Sequence, residues 1–167
     1  MELSWQNHLK TFLISETTCE PFLTVEADCA LPRAHVLARR PAIEANDLAG
    51  ELFVARGPGV FPQTGEEALA HAGVEPGFVF MAQYTAARCG LVAEGLGLAI
   101  VDPVPARDLA GLPIVLRPFR PCLRIATMLI RLASCLMPRL VAILHAERNV
   151  LAQRHLQIRA LALSPSA

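Results

Sequence analysis

The sequence has no excess of either charge, because fifteen lysines and arginines balance fifteen aspartates and glutamates. A chain that binds DNA or an anionic membrane by itself commonly has an excess of positive charge, and this chain has no overall excess. The neutrality argues against nucleic-acid or membrane binding by this chain alone. It does not bear on a partner domain.

The sequence also lacks a run of about twenty uncharged apolar residues, the length that a membrane-spanning helix needs. Its five cysteines are scattered and contain no CxxC pair. An odd number of cysteines at such spacings fits a reduced, cytoplasmic protein better than a disulfide framework or a zinc site. We therefore predict a cytoplasmic protein with no metal, no cofactor and no membrane partner.

Catalytic constellations are missing as well, since no Ser/His/Asp, Cys/His or paired-carboxylate arrangement can be argued from residue spacing. His35 and Cys89 are each better explained as structural side chains than as a metal ligand or a redox sensor. Asp102 precedes Pro103, a pair more typical of a turn than of a catalytic base. The sequence therefore predicts that the protein is not an enzyme.

The sequence does contain enough apolar material for a sizeable core, with 167 residues of which 53% are hydrophobic and 18% charged. This composition leaves little room for extended disorder. A single folded domain is the usual expectation for this length.

The segment TAARCGLVAEGLGLAIVDP, residues 85–103, predicts a helix, a glycine turn and a buried strand. Thr85 is a suitable N-cap, and an apolar stripe repeats at helical spacing over Ala87, Leu91, Val92 and Ala93. Gly95 stands where helices commonly end in a left-handed turn, and residues 98–101 form an apolar run of strand length. A dinucleotide-binding loop is disfavoured, because that motif needs the strand before the glycines and the helix after them.

Earlier residues predict further strands and a helix. A first strand covers residues 22–31, where alternation places Asp28 on a wetter face. Residues 33–42, with two arginines at 39 and 40, are interpreted as a solvated turn or short helix, with a small anion site as the less favoured alternative. Strands at residues 51–55 and 78–82 flank a helix over residues 64–72, in which Glu66 is expected to face solvent.

Alternation of strands and helices from residue 51 onward favours a parallel sheet covered by helices, and ligands of such sheets bind at the carboxyl ends of strands. Thr85 could hold a carboxylate at a helix N-terminus or act only as an ordinary cap. Arg56 could pair with an anion or remain a solvated charge. The candidate binding residues are Ala55, Arg56 and Gly57 after one strand, and Gln83, Tyr84 and Thr85 after the next.

The remaining chain predicts strands over residues 114–119 and 123–132 and a final helix over residues 138–151. The segment between Asp102 and the first of these strands is rich in proline, with one helical turn at residues 105–109.

Several stretches together resemble the C-terminal effector-binding domain of LysR-type transcriptional regulators. The resemblance lies in ALPRAHVLARRPAIEANDLAGELFVA at residues 30–55, in residues 85–103, and in RPFRP at residues 117–121. In the first stretch the matching residues are Pro32, His35, Leu37, Ala38, Asp47, Leu48 and Phe53.

The resemblance implies an α/β, periplasmic-binding-protein-like fold of two subdomains with an effector cleft between them. Residues 20–118 would form one near-complete subdomain, and residues 119–151 the returning strand and helix of an incomplete one. Residues 1–19 stay unassigned and residues 152–167 form a tail. The chain is expected to lack the helix-turn-helix of an intact regulator, so that DNA would be reached only through a domain absent here.

The function that the resemblance implies is the sensing of a small-molecule effector, such as an amino acid or organic acid, without a cofactor. Pairing with a second copy or with intact regulators is the further partner expectation. The expected effector-binding residues are Thr85, Gln83, Tyr84, Arg56, Ala55 and Gly57. A stand-alone small-molecule binding module, or a non-functional remnant of a longer regulator, remains the alternative.

Overall fold

The structure is a computed structural model that describes residues 17–56, 64–132 and 142–153. These residues fall into two compact units. The large unit contains residues 25–56 and 64–125, and the small unit contains residues 17–24, 126–132 and 142–153.

The strands are β1 (Thr17–Glu26), β2 (Asp28–Pro32), β3 (Ile43–Glu44), β4 (Leu52–Ala55), β5 (Gly77–Met81), β6 (Ala99–Val101), β7 (Ile114–Arg120) and β8 (Arg124–Leu132). The helices are α1 (Thr64–His71), α2 (Thr85–Ala93), α3 (Pro103–Arg107) and α4 (142–153). Two 3₁₀ turns cover Val36–Arg39 and Ala45–Leu48.

In the small unit, β1 and β8 form a two-stranded sheet. On α4, the Nε2 atom of His145 lies 3.3 Å from the Oε1 atom of Glu20 in β1. The final helix is thus confirmed, although its predicted start at Pro138 lies outside the described residues.

The large unit is built on a four-stranded sheet with the order β3-β7-β2-β6. β2 is antiparallel to both of its neighbours, whereas β3 runs parallel to β7. β4 and β5 pair in parallel, and a parallel bridge between Phe53 and Leu98 joins β4 to the start of β6. The predicted parallel arrangement of β4, β5 and β6 is therefore confirmed.

The junction between β4 and β6 depends on Gly97. The Leu98 amide donates to the Leu52 carbonyl at 2.8 Å, and the Val54 amide donates to the Leu98 carbonyl at 2.8 Å. Gly97 has φ +144°, and a Cβ atom there would lie 2.8 Å from the Leu52 carbonyl oxygen. Only glycine provides both this conformation and this close approach.

The central strands β2 and β6 are buried on both faces, because their consecutive residues are buried and successive side chains point to opposite faces. One face packs Leu31, Phe53, Ile100 and Phe119 with Leu48 and Leu69. The other face packs Ala30, Val54 and Val101 with Cys89, Val92 and Ala106 from helices α2 and α3. Each fully buried leucine or phenylalanine of this core contributes about 1.5–3 kcal/mol of burial free energy.

The predicted strand over residues 22–31 is confirmed except at Ala27, which separates β1 from β2, but the placement of Asp28 on a wetter face was wrong. The chain leaves β1 at Glu26 and enters β2 at Asp28, whose side chain is only 3% exposed. Alternation fails here because β2 is a central strand with helices on both faces. The Asp28 carboxylate is paired with the Arg107 guanidinium of α3 at 3.3 Å.

Helix α2 ends as its glycine predicted. Gly95 has φ +75°, its amide donates to the Val92 carbonyl at 2.9 Å, and the Leu96 amide donates to the Leu91 carbonyl at 3.1 Å. These two bonds form the Schellman arrangement, in which a left-handed residue reverses the chain after the helix. The chain then passes directly through Gly97 into the junction with β4.

His35 has the structural role predicted for it. Its Nδ1 atom accepts a hydrogen bond from the Leu37 amide at 3.3 Å and so caps the first 3₁₀ turn. Its Nε2 atom lies 3.5 Å from the Oε2 atom of Glu51. The imidazole thereby ties the turn after β2 to the segment that leads into β4.

Replacing Gly97 by alanine should destabilise the large unit, because the added methyl group would collide with backbone atoms of Leu52. We expect a loss of about 2 kcal/mol or more, measured by thermal or urea unfolding.

Gly90→Ala is the matched control. Gly90 lies within α2 and nothing lies within 4 Å of a Cβ atom added there. This variant should gain about 0.5–1 kcal/mol from its higher helix propensity. Equal melting temperatures for Gly97→Ala and the wild-type protein would contradict the close approach at the junction.

Candidate functional site

The parallel pairing of β4 with β5 brings the two predicted groups of binding residues to one edge of the sheet. Ala55 pairs with Met81, and the Ala82 amide donates to the Ala55 carbonyl at 3.0 Å. The residues that follow both strands therefore lie at the same carboxyl edge, where open α/β sheets bind ligands.

The predicted residues differ in their exposure at this edge. Ala55 is buried, Arg56 and Thr85 are half-buried, Gln83 is exposed and Tyr84 is 75% exposed. Gly57 lies outside the described residues.

The N-terminus of α2 is the main feature of the edge. The N-cap is Tyr84 and not Thr85 as predicted, and the Tyr84 side chain makes no capping hydrogen bond. The first intrahelical bond at this end runs from the Arg88 amide to the Tyr84 carbonyl at 3.1 Å. The amides of Thr85, Ala86 and Ala87 therefore have no acceptor within the helix, and they make its N-terminus suitable for an anion.

Glu66 organises the neighbouring helix terminus. Its Oε1 atom accepts a hydrogen bond from the Arg56 amide at 2.6 Å, and the side chain is half-buried. The prediction that Glu66 faces solvent was therefore wrong. Its carboxylate lies in the first turn of α1, where the helix dipole favours a negative charge, and it fixes the backbone at the end of β4.

Sequence reasoning missed Arg88, which is only 6% exposed. Its Nη1 atom donates to the Ile100 carbonyl at 2.8 Å, and its Nε atom has no hydrogen-bond partner among the described residues. Burial lowers the pKa of the Arg88 guanidinium, and the nearby Glu66 carboxylate opposes that shift. The site thus contains a buried cation beside the N-terminus of α2.

The burial of Arg88 was not predicted because the wrong face of α2 was assigned to the core. The predicted inward stripe of α2 contained Ala87, but Ala87 is exposed and the buried face consists of Arg88, Cys89 and Val92. An arginine inside an apolar stripe is normally assigned to the surface. The available signal was its spacing from Thr85, since residues three apart share one helix face.

Asp102 follows β6 and is the N-cap of α3, where its Oδ1 atom accepts a hydrogen bond from the Val104 amide at 2.9 Å. Burial raises the pKa of the Asp102 carboxyl, although the bond from Val104 and the charge of Arg107 oppose the shift. The expected turn is thus a helix start, and α3 begins at Pro103, two residues before the predicted helical turn.

Within residues 17–56, 64–132 and 142–153, no group of three or more histidine, cysteine, aspartate or glutamate side chains is arranged to hold a metal ion. None of the helices in these segments is long and apolar enough to cross a membrane.

Comparison with known proteins identifies the family. The family model of the LysR substrate binding domain matches residues 9–150. The chain therefore belongs to the LysR substrate binding domain family.

Individual proteins show the same relationship. The chain is 31% identical over 105 residues to the regulatory protein NocR of Agrobacterium tumefaciens (strain T37), covering 62% of this chain and 35% of NocR. The chain thus spans about a third of the length of this curated relative.

Two solved structures share the fold. One is a LysR family regulator from Pseudomonas aeruginosa called PA01 protein, with a TM-score of 0.67, 19% identity, and coverage of 82% of this chain and 50% of that one. The other is the CcmR regulatory domain of Synechocystis PCC6803 in complex with 2-PG, with a TM-score of 0.64, 18% identity, and coverage of 80% and 67%. The large and small units thus belong to the regulatory-domain fold of LysR proteins.

Changes at Asp102 should separate its capping role from its charge. Asp102→Ala should lose about 1 kcal/mol of stability, because the Val104 amide loses its acceptor. Asp102→Asn keeps an acceptor and removes a half-buried ionised carboxylate, so at pH 7 it should equal or exceed the wild-type protein in stability.

The pH dependence gives the second measurement. A raised pKa in the folded state means that the folded protein binds a proton more readily than the unfolded chain. The contribution of wild-type Asp102 to stability therefore rises as the pH falls from 7 to about 4. The advantage of Asp102→Asn in thermal melts should shrink over this range, and a widening gap would contradict the raised pKa.

Proposed function

We propose that the chain senses a small effector molecule for a LysR-type transcriptional regulator. The effector would bind on the large unit, at the carboxyl edge of β4 and β5 and the N-terminus of α2. The observation that carries the proposal is the uncapped N-terminus of α2 beside the half-buried Thr85, at the edge where both strands end. Membership of the family supports the same assignment.

The proposed effector is an amino acid or another small organic acid. A carboxylate at this position would accept hydrogen bonds from the free amides of the first turn and from the Thr85 hydroxyl. The protruding Tyr84, together with Gln83 and Arg56, would line the rim of the site. Ala55 and Gly57 would contribute backbone groups only.

The remaining assignments are part of the same proposal. Residues 20–118 act as the effector-binding subdomain, and residues 119–151 return to the other subdomain. The regulator works in the cytoplasm without catalysis, as a homo-oligomer, and reaches DNA through a helix-turn-helix domain. A stand-alone binding module remains the alternative for this chain, and specific DNA binding by the purified chain alone would contradict the assignment of DNA contact to another domain.

The proposal is tested by thermal denaturation of the purified chain with the standard amino acids and a set of aliphatic and aromatic acids. A true effector should raise the melting temperature in a saturable way, because a ligand that binds only the folded state stabilises it. Thr85→Val should weaken the binding of that compound by about tenfold, the value of one hydrogen bond to a charged group.

Two controls accompany this test. Thr85→Ser keeps the hydroxyl group and should retain most of the affinity. Thr127→Val makes the same chemical change at an exposed position of β8 and should leave affinity unchanged. If no compound shifts the melting temperature, or if Thr85→Val binds like the wild-type protein, the proposed site is wrong.

A further inference from the structure

Arg88 is a buried cation that the described part of the chain leaves without a paired carboxylate. Arg88 is 6% exposed, and among the described residues the hydrogen bond of its guanidinium goes to the Ile100 carbonyl at 2.8 Å. Among the described residues, no carboxylate oxygen lies within 4.0 Å of a guanidinium nitrogen of Arg88, the distance that defines an ion pair. Buried charges in proteins are usually paired, so this one requires an explanation.

The neighbouring acids do not fill this role. Glu66 and Asp102 both act on the charge of Arg88 through space. Each, however, has a backbone partner, because Glu66 accepts from the Arg56 amide and Asp102 from the Val104 amide. The sequence GPGVFPQ at residues 57–63, which lies outside the described residues and follows β4, contains no carboxylate.

Arg88 is also placed at the proposed binding edge. It lies one turn after Thr85 on the same face of α2, and helical side chains tilt towards the helix N-terminus. Its acceptor, Ile100, is the middle residue of the three-residue strand β6, and Glu66 lies in the first turn of α1. The guanidinium therefore lies near the carboxyl ends of the strands and the uncapped start of α2.

We propose that Arg88 supplies the counter-charge for an anionic effector, so that the site selects small carboxylic acids over their neutral analogues. This inference rests on the proposed function and specifies the ligand class of that site. The amides of the first turn of α2 orient the anion, while the buried guanidinium provides the full positive charge that backbone dipoles lack. Arg88 is thus the specificity-determining residue of the site.

The test uses pairs of probes in which amides of similar shape replace the ionised carboxylates. Benzoate and benzamide, and succinate and succinamide, are titrated into the full chain by calorimetry and thermal denaturation. The wild-type protein should bind at least one carboxylate about 10- to 100-fold more tightly than the matching amide, as expected for hydrogen bonds to a charged group.

Variants of Arg88 test whether this residue causes the preference for carboxylates over amides. Arg88→Met should abolish the preference for the carboxylate, whereas Arg88→Lys keeps the charge and should retain part of it. Arg33→Met is the matched control, because Arg33 is exposed, and it should leave the preference unchanged. If Arg88→Met fails to fold, Arg88→Lys and the wild-type comparison still test the proposal, because equal binding of carboxylate and amide by the wild-type protein would overturn it.

The outcomes separate the two proposals. Equal or tighter binding of amides by the wild-type protein overturns the role of Arg88 and leaves the effector site intact. A carboxylate preference that survives in Arg88→Met overturns it as well. Failure of every probe, charged and neutral, to bind the wild-type protein counts against the proposed site itself.

Discussion

The junction of β4 with β6 is the constraint on which the large unit depends. Two hydrogen bonds of 2.8 Å at Leu98 connect the β4–β5 pair to the four-stranded sheet. They require the backbone of Leu52 in β4 to lie so close to Gly97 that a Cβ atom there would be 2.8 Å from the Leu52 carbonyl oxygen. Because α1 and α2 are attached to these strands, the junction also sets where their first turns lie. The carboxyl edge with its uncapped helix start is a consequence of that contact.

Much of this fold could be predicted from the sequence, since its signals are local. The helical period and the glycine at 95 defined α2, and alternating elements from residue 51 onward indicated parallel strands. The reversed direction of β2 was not predictable in this way, because alternation of side chains does not encode strand direction. Nor could alternation reveal the burial of Asp28, which depends on its pairing with Arg107 of α3.

The position of the candidate site could also be predicted from the sequence, but its buried charge could not. The rule that ligands bind at strand ends pointed to Thr85 and its neighbours, and the structure brings the described members of both groups to one edge. Arg88 escaped because the burial of a charge is decided by tertiary contacts and not by propensity. The cap also moved by one residue, to Tyr84, which leaves the Thr85 side chain half-buried inside the first turn.

Two backbone hydrogen bonds hold the ends of the large unit together. The Ala27 amide donates to the Leu123 carbonyl at 2.8 Å, and the Phe119 amide donates to the Ala27 carbonyl at 3.2 Å. The two chain ends of the large unit are thus held side by side by its own fold. Closure entropy grows only slowly with loop length, and domains with adjacent ends tolerate insertion. A unit of this kind can occupy the middle of a chain without forcing the segments on either side of it apart.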